Sequence, residues 1–390
     1  MKARVLDAGD VLGIVDLLRD LGYQVVAPFL DASALPLSLS KGQGGRPPID
    51  GGAAMDTAFA PVTDENRDDI ALHCPNPLYP PKRYALPPIE PLLEIRGRGA
   101  ETSFRPIVEA PKVAVFGIRS CDVAGIGHLD QFYLGGAYRD LYYATRREQL
   151  LLVNVVCTEP GVDIGEACFC PCTDTGPAAR EGFDLQLMDL GGEWLVLAGT
   201  ERGELLLQEP LFRRATPAHV EARRTKLEAL RTQFKTYTSW FAAAVSKVTR
   251  GEVTEGTWEE IGRRCLECGG CTYVCPACTC FTVSDRPAGP DRTERVRIWD
   301  SCALSGFTRM AGGHNPRKAV HDRRNRRFYR KLSHHFIERE RSVACVGCGR
   351  CAEICHGDVG MPAVVELLRR GPTNGAAHDA AASGATGGRP

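Results

Sequence analysis

Two stretches of this chain carry the same cysteine spacing. "CLECGGCTYVCP" holds Cys265, Cys268, Cys271 and Cys275, and "CVGCGRCAEICH" holds Cys345, Cys348, Cys351 and Cys355. Both read C-x2-C-x2-C-x3-C, the run that binds cubane iron–sulfur clusters: three thiolates on a tight turn grip three corners of one cube, and the fourth, carried off on a short helix, reaches the neighbouring cube. Crossed ligation assigns Cys265, Cys268, Cys271 and Cys355 to one [4Fe-4S] cluster and Cys345, Cys348, Cys351 and Cys275 to a second. Glycines at 269, 270, 347 and 349 admit the backbone close to such a group. Structural zinc also uses C-x2-C pairs, but it gains nothing from a cysteine three residues further on.

The chain has 17 cysteines, an odd count that argues against complete disulfide pairing. "MKARVLDAGDVLGIVDLL" at the start carries aspartates where a secretory signal needs its apolar core, and no apolar stretch is long enough to cross a membrane. The expected location is therefore the cytoplasm, where metal ligation explains cysteines better than disulfides do. Lysine plus arginine and aspartate plus glutamate both total 48. No global field favours nucleic acid or an anionic membrane, and neither is expected as a partner.

A third group of thiols lies upstream. "KVAVFGI" at 112–118 and "LLVNVV" at 151–156 are apolar runs of the kind that fill a parallel sheet covered on both faces. Each ends at a cysteine, Cys121 in "RSCD" and Cys157 in "CTEPG", at the carboxyl edge where open α/β sheets place ligands. The following loop returns with "CFCPC", which contains Cys168, Cys170 and Cys172. Cys121, Cys157, Cys168 and Cys170 are the expected ligands of a third [4Fe-4S] cluster, with Cys172 a possible substitute. Reduced buried thiols at strand ends are the alternative. A redox-active pair is a further one, although Pro171 does not suit it.

These features predict an α+β multidomain chain: an N-terminal α/β segment with Pro/Gly-rich loops (1–110), an α/β core with the candidate third site (111–215), an α-helical ferredoxin domain (216–370) and a disordered tail (371–390). An amphipathic helix and a strand are expected within the first 30 residues, and mostly loops and turns over 35–110. Apolar residues from Leu227 to Val248 follow helical spacing and predict a packing helix. Cys278, Cys280 and Cys302 read as packing residues around the clusters, with ligands of another site as the alternative. The basic stretch "HDRRNRRFYRK" reads as a solvated helix face, with a contact to a partner subunit the next reading, His314 as a loop residue, and His334 and His335 as neighbours that cannot share one metal.

Taken together, "GIRSCD", "FYLGGAYRDLYYATRRE", "CFCPCTDTGP", "CPACTCF", "RIWDSC", "FTRMAGGHNPR" and the two cysteine runs make residues 110–362 resemble a known family. It comprises the beta subunits of cytoplasmic bidirectional nickel–iron hydrogenases, or sulfhydrogenases, and the related A subunit of anaerobic sulfite reductase. The resemblance implies an iron–sulfur electron-transfer subunit with no catalytic site of its own. Its implied partners are a flavin/NAD(P)H-binding subunit and catalytic hydrogenase or reductase subunits. Three departures stand out: the extra cysteine in "CFCPC", which leaves the third set open between Cys170 and Cys172; His356, where proline is usual; and the poorly matching first hundred residues. No G-x-G-x-x-G follows a strand, so no dinucleotide fold is expected. Reduction of a sulfur compound by the "CFCPC" thiols, and clusters that only brace the fold, are the competing readings.

Overall fold

The run "VAVFGIR" folds as a strand buried at every position, Val113–Arg119, as a strand covered on both faces must be. The computed structural model describes residues 2–30, 58–73, 76–158, 168–234, 238–340 and 342–371. In chain order the strands are β1 (Ala3–Asp7), β2 (Gln24–Phe29), β3 (Ala58–Pro61), β4 (Ile89–Arg96), β5 (Ser103–Pro106), β6 (Val113–Arg119), β7 (Leu150–Val155), β8 (Leu185–Asp189), β9 (Glu193–Ala198), β10 (Arg213–Arg214), β11 (Phe281–Gly289) and β12 (Arg292–Trp299). The helices are α1 (Gly13–Asp20), α2 (Ser120–Leu134), α3 (Leu141–Gln149), α4 (Glu201–Leu206), α5 (Pro217–Gln233), α6 (Thr238–Arg250), α7 (Glu255–Arg264), α8 (Gly270–Tyr273), α9 (Val320–Leu332), α10 (His334–Glu340), α11 (Arg350–Glu353) and α12 (Met361–Arg370).

The larger sheet runs β10-β1-β9-β8-β7-β6-β2-β3. Its middle, β2, β6, β7 and β8, is parallel. Alternation along β7 sends Leu151 and Val153 to one face, with Ile14 and Leu18 of α1, and Leu150 and Leu152 to the other, with Ile126 and Leu129 of α2. Each such fully buried side chain contributes roughly 1.5–3 kcal/mol, so both faces carry a core and the sheet is rigid where the sites need it.

The second sheet departs from expectation. β4 and β5 lie in the region read as loops, and they join β11 and β12, from the region read as helical, in the order β11-β12-β4-β5. Prolines around β4 hide its pattern, and its stability rests on a partner distant in sequence: β12 pairs with it from Arg292↔Arg96 to Ile298↔Ile89. Buried Glu90 of β4 is bound by Arg146 and Arg297, and Arg297 also reaches Asp140 at 2.6 Å. The sheet is thereby tied to α3.

The helical region has its own core of Phe241, Val248, Trp258, Phe328, Leu332 and Val364. The expected packing helix is two helices, α5 and α6, with Leu230, Phe234, Phe241 and Val248 buried and Tyr237 outside the described residues. The tail beyond Gly371 also lies outside them, as does Cys74. Among the described residues no helix is long and apolar enough to cross a membrane.

Candidate metal centres

Because β6 and β7 are parallel neighbours, the residues that follow them emerge at one edge. Cys121 stands in the first turn of α2, and Cys157 comes two residues after β7. A buried polar network fixes this edge: Ser120 Oγ donates to the Pro177 carbonyl at 2.7 Å and Asn154 Nδ2 to the Ile118 carbonyl at 2.8 Å.

"CFCPC" docks here against the second cysteine run. The Phe169 N–H donates to the Gly347 carbonyl at 2.8 Å, Thr175 Oγ1 to the Val346 carbonyl at 2.7 Å, and Cys168 Sγ lies 3.5 Å from the Cys348 carbonyl. Gly347 has φ +61°, and a Cβ there would lie 2.6 Å from Cys170 Cα. Only glycine allows this approach. The structure brings Cys121, Cys157, Cys168 and Cys170 together, with Cys348 beside them. Burial, reinforced by the neighbouring thiols, pushes the Cys168 thiol up to about 12 and those of Cys121 and Cys170 well above the usual range. Cys172 instead packs half-buried against the helical core with Phe169.

The first run surrounds a pocket lined by Cys265, Cys268, Cys271 and Cys355, with Arg324 and His356 in its wall. Thus Cys355, from the second run, faces the three thiols of the first. Cys268 is exposed, whereas Cys271 is buried. Backbone N–H groups point at the sulfurs: Glu267 at Cys265 (3.4 Å), Val359 at Cys355 (3.3 Å) and Met361 at Cys351 (3.3 Å). Such bonds stabilise thiolate charge and tune the potential of a held cluster.

In the second run, burial pushes Cys345 up to about 12 and Cys351 up to about 11. Lys331 joins this run to the first: its Nζ lies 3.4 Å from Cys275 Sγ and donates to the Ala344 carbonyl at 2.6 Å.

The basic stretch is where sequence reasoning went astray. On α9 Arg323, Arg324, Arg327 and Lys331 are only 1–5% exposed. Positions 324, 327 and 331 share one helix face. Arg324 places Nη1 and Nη2 3.7 and 3.9 Å from Cys271 Sγ. Arg327 donates Nη2 to the Cys271 carbonyl at 3.0 Å and sets Nη1 3.6 Å from Cys278 Sγ. From the N-terminal segment, buried Lys82 donates to the carbonyls of Cys275 and Cys278 at 2.8 and 3.2 Å. The spacing of basic residues at three and four was the available signal, but basic helices usually face water.

Arg323 is paired with Glu267, and Arg350 with Asp122. Among the described residues Lys82, Arg324, Arg327 and Lys331 have no carboxylate partner. An uncompensated buried cation costs several kcal/mol, so this wall calls for negative charge. Burial works against the charged forms of Arg327 and Lys331, but thiols outweigh it and raise both, Cys271 with Cys278 and Cys275 at Arg327 and Cys275 with Cys278 at Lys331; burial wins at Lys82 and lowers it. Arg324 Nε and Arg327 Nε are buried donors without acceptors. Thiolate-ligated clusters fit this wall: they bring anionic sulfur to cations and orphaned donors alike. Among the described residues no three His, Cys, Asp or Glu side chains are arranged to hold a single metal ion.

Fold and wall together define an iron–sulfur electron-transfer protein. Residues 264–359 match the family described as a 4Fe-4S dicluster domain, so the chain has the domain for two [4Fe-4S] clusters. It belongs to the family of sulfhydrogenase beta subunits: it is 31% identical over 315 residues to sulfhydrogenase 2 subunit beta of Pyrococcus furiosus, covering 78% of this chain and 87% of that protein. That match is longer than the stretch 110–362 on which the sequence resemblance rests. No solved structure matches the chain.

Proposed function

We propose that the chain is the electron relay of a cytoplasmic sulfhydrogenase-type complex, passing electrons between a flavin/NAD(P)H-binding subunit and a catalytic nickel–iron subunit. In this reading Cys265, Cys268, Cys271 and Cys355 hold one cluster and Cys345, Cys348, Cys351 and Cys275 a second. Cys121, Cys157, Cys168 and Cys170 hold a third, at the sheet edge. The observation that carries the reading is the wall of buried cations without carboxylate partners, Arg324, Arg327, Lys331 and Lys82, facing the cysteine segments. The clusters supply one-electron chemistry when bound.

The protein's part is to hold, bury and bias. Arg324 and Lys331 offset thiolate charge, and the N–H groups of Val359 and Met361 bind sulfur. Exposed Cys268 marks the first pocket as the one nearest solvent, the natural point for electrons to pass to or from a partner. Reduction of sulfur compounds by the "CFCPC" thiols is disfavoured by their burial: Cys168 is 8% and Cys170 5% exposed, which leaves a sulfur substrate little access.

The test is the iron and sulfide content of the anaerobically purified chain and of Cys168→Ser and Cys170→Ser variants, with reversible reduction followed by EPR. The relay predicts about twelve irons for the three sets, at four per cubane, falling by about four in either variant. About eight irons throughout would remove the third site, and clusters that cannot be reversibly reduced would remove the relay.

A further inference from the structure

The three sets leave Cys278, Cys280 and Cys302 unused. Cysteines that merely fill space behave as small apolar groups and need no charge beside them. Cys278 has it. Arg327, 4% exposed, sets Nη1 3.6 Å from Cys278 Sγ and keeps a buried Nε with no acceptor. Lys82, 3% exposed, donates to the Cys278 carbonyl at 3.2 Å and is held over the Trp299 ring, 4.2 Å from its centroid.

The hairpin brings the other two together. Phe281 pairs with Trp299 at its base, the Asp300 N–H donates to the Cys280 carbonyl at 3.0 Å, and Cys280 and Cys302 share a thiol–thiol contact. Both segments are clamped from outside: Tyr133 Oη donates to the Thr279 carbonyl at 3.3 Å, Ser301 Oγ to Thr272 Oγ1 at 3.0 Å, and Arg323 Nε to the Ala303 carbonyl at 3.1 Å. Cys278, two residues before Cys280, lies within electrostatic reach of both the Cys280 and Cys302 thiols and contacts Cys275. A dithiol built for exchange opens a helix within reach of solvent, whereas these thiols sit at the base of a hairpin behind two buried cations.

From this convergence we infer that Cys278, Cys280 and Cys302 hold a further iron–sulfur cluster by three thiolates, with its remaining corner on a non-cysteine ligand. The site adjoins Cys275 and extends the relay toward the β11-β12-β4-β5 sheet. It rests on the reading that the two cysteine runs hold clusters.

The experiment is native mass spectrometry with iron and sulfide determination on the anaerobically purified full chain, its Cys280→Ser and Cys302→Ser variants, and Cys168→Ser for reference. The parent should exceed the three-cluster content by about three to four irons, as one further cluster requires. Both hairpin variants should lose that increment and keep the rest, and Cys168→Ser should lose a different one. Parent and hairpin variants with equal iron would overturn the inference, as would zinc in place of the increment or a Cys280–Cys302 disulfide in the parent. A variant that failed to fold would lose every cluster, and the parent's own mass would then decide. A parent without iron would instead remove the relay reading itself.

Discussion

The guanidinium of Arg350 donates to both carboxylate oxygens of Asp122, at 2.6 and 2.8 Å, and the two side chains are 0% and 1% exposed. Arg350 precedes Cys351 in the second run, and Asp122 follows Cys121 at the sheet edge, so one buried ion pair fixes the distance between two cysteine sets. Arg350 also donates to Asn76 Oδ1 at 2.5 Å, and Asn76 Nδ2 lies 3.2 Å from Cys121 Sγ. Removing one partner strands the other as an unpaired buried charge. Arg350→Leu should therefore cost about 3–5 kcal/mol in anaerobic denaturant unfolding and lower the iron content. A loss under about 1 kcal/mol, the scale of a surface pair, would show that the pair does not hold the sets together.

Gly347→Ala tests the docking of "CFCPC". Its Cβ would meet Cys170 Cα at 2.6 Å from a backbone at φ +61°, so either the turn or the segment must shift. The strain should be about 1–3 kcal/mol, with iron lost from the edge set before the others. Unchanged stability and iron content would mean that the contact is slack.

Cys172→Ser should leave the iron content intact and cost little stability, because Cys172 packs half-buried against the helical core. Cys170→Ser should lose about four irons, one cubane's worth. The opposite order in paired iron assays would transfer the ligand role to Cys172.

Arg327→Met and Lys331→Met should lower the midpoint potential of the neighbouring cluster, because a fixed cation favours the more negative, reduced form. At an effective dielectric near 20 the interaction is about 1–3 kcal/mol, or roughly 40–130 mV for one electron. EPR-monitored redox titration reads the shift, with exposed Arg263→Met as the control. A rise, or a change equal to the control's, would show that the cations do not act on the cluster.

Iron removal should give the protein a new sensitivity to alkali. In the iron-free fold, burial lifts Cys168 and Cys345 to about 12 and Cys351 to about 11, against an ordinary thiol value of 9.0. Above that value the unfolded chain releases protons that the fold retains, so stability falls as pH rises from about 9 to 12. The loaded chain, its thiols already deprotonated, should show a flatter curve. Denaturant midpoints across this range distinguish the two.

The cysteine runs and the strands that end at Cys121 and Cys157 were readable because their signals are local: fixed spacing in one case, an unbroken apolar run in the other. β4 was not, since prolines break its pattern and its partner β12 lies far downstream, and the β11–β12 hairpin fell in a stretch read as helical. The α9 wall failed for a chemical reason. Arg324 is buried because Cys271, 53 positions away, supplies sulfur for it to face, and no window along the chain contains both. "CFCPC" falls between these cases: its thiols could be assigned to a sheet edge, but the choice of Cys170 over Cys172 as neighbour to the others depends on Gly347, in a run far downstream.

The pocket of the first run has Cys355 in its wall, and Gly347 receives the edge segment. Both belong to the portion of the chain that is synthesised late. A chain still being made therefore holds its earlier thiols without the later residues that face them. A chain that stops before Val343 lacks one wall of the first pocket and the turn against which "CFCPC" docks, so the loss reaches both sites at once.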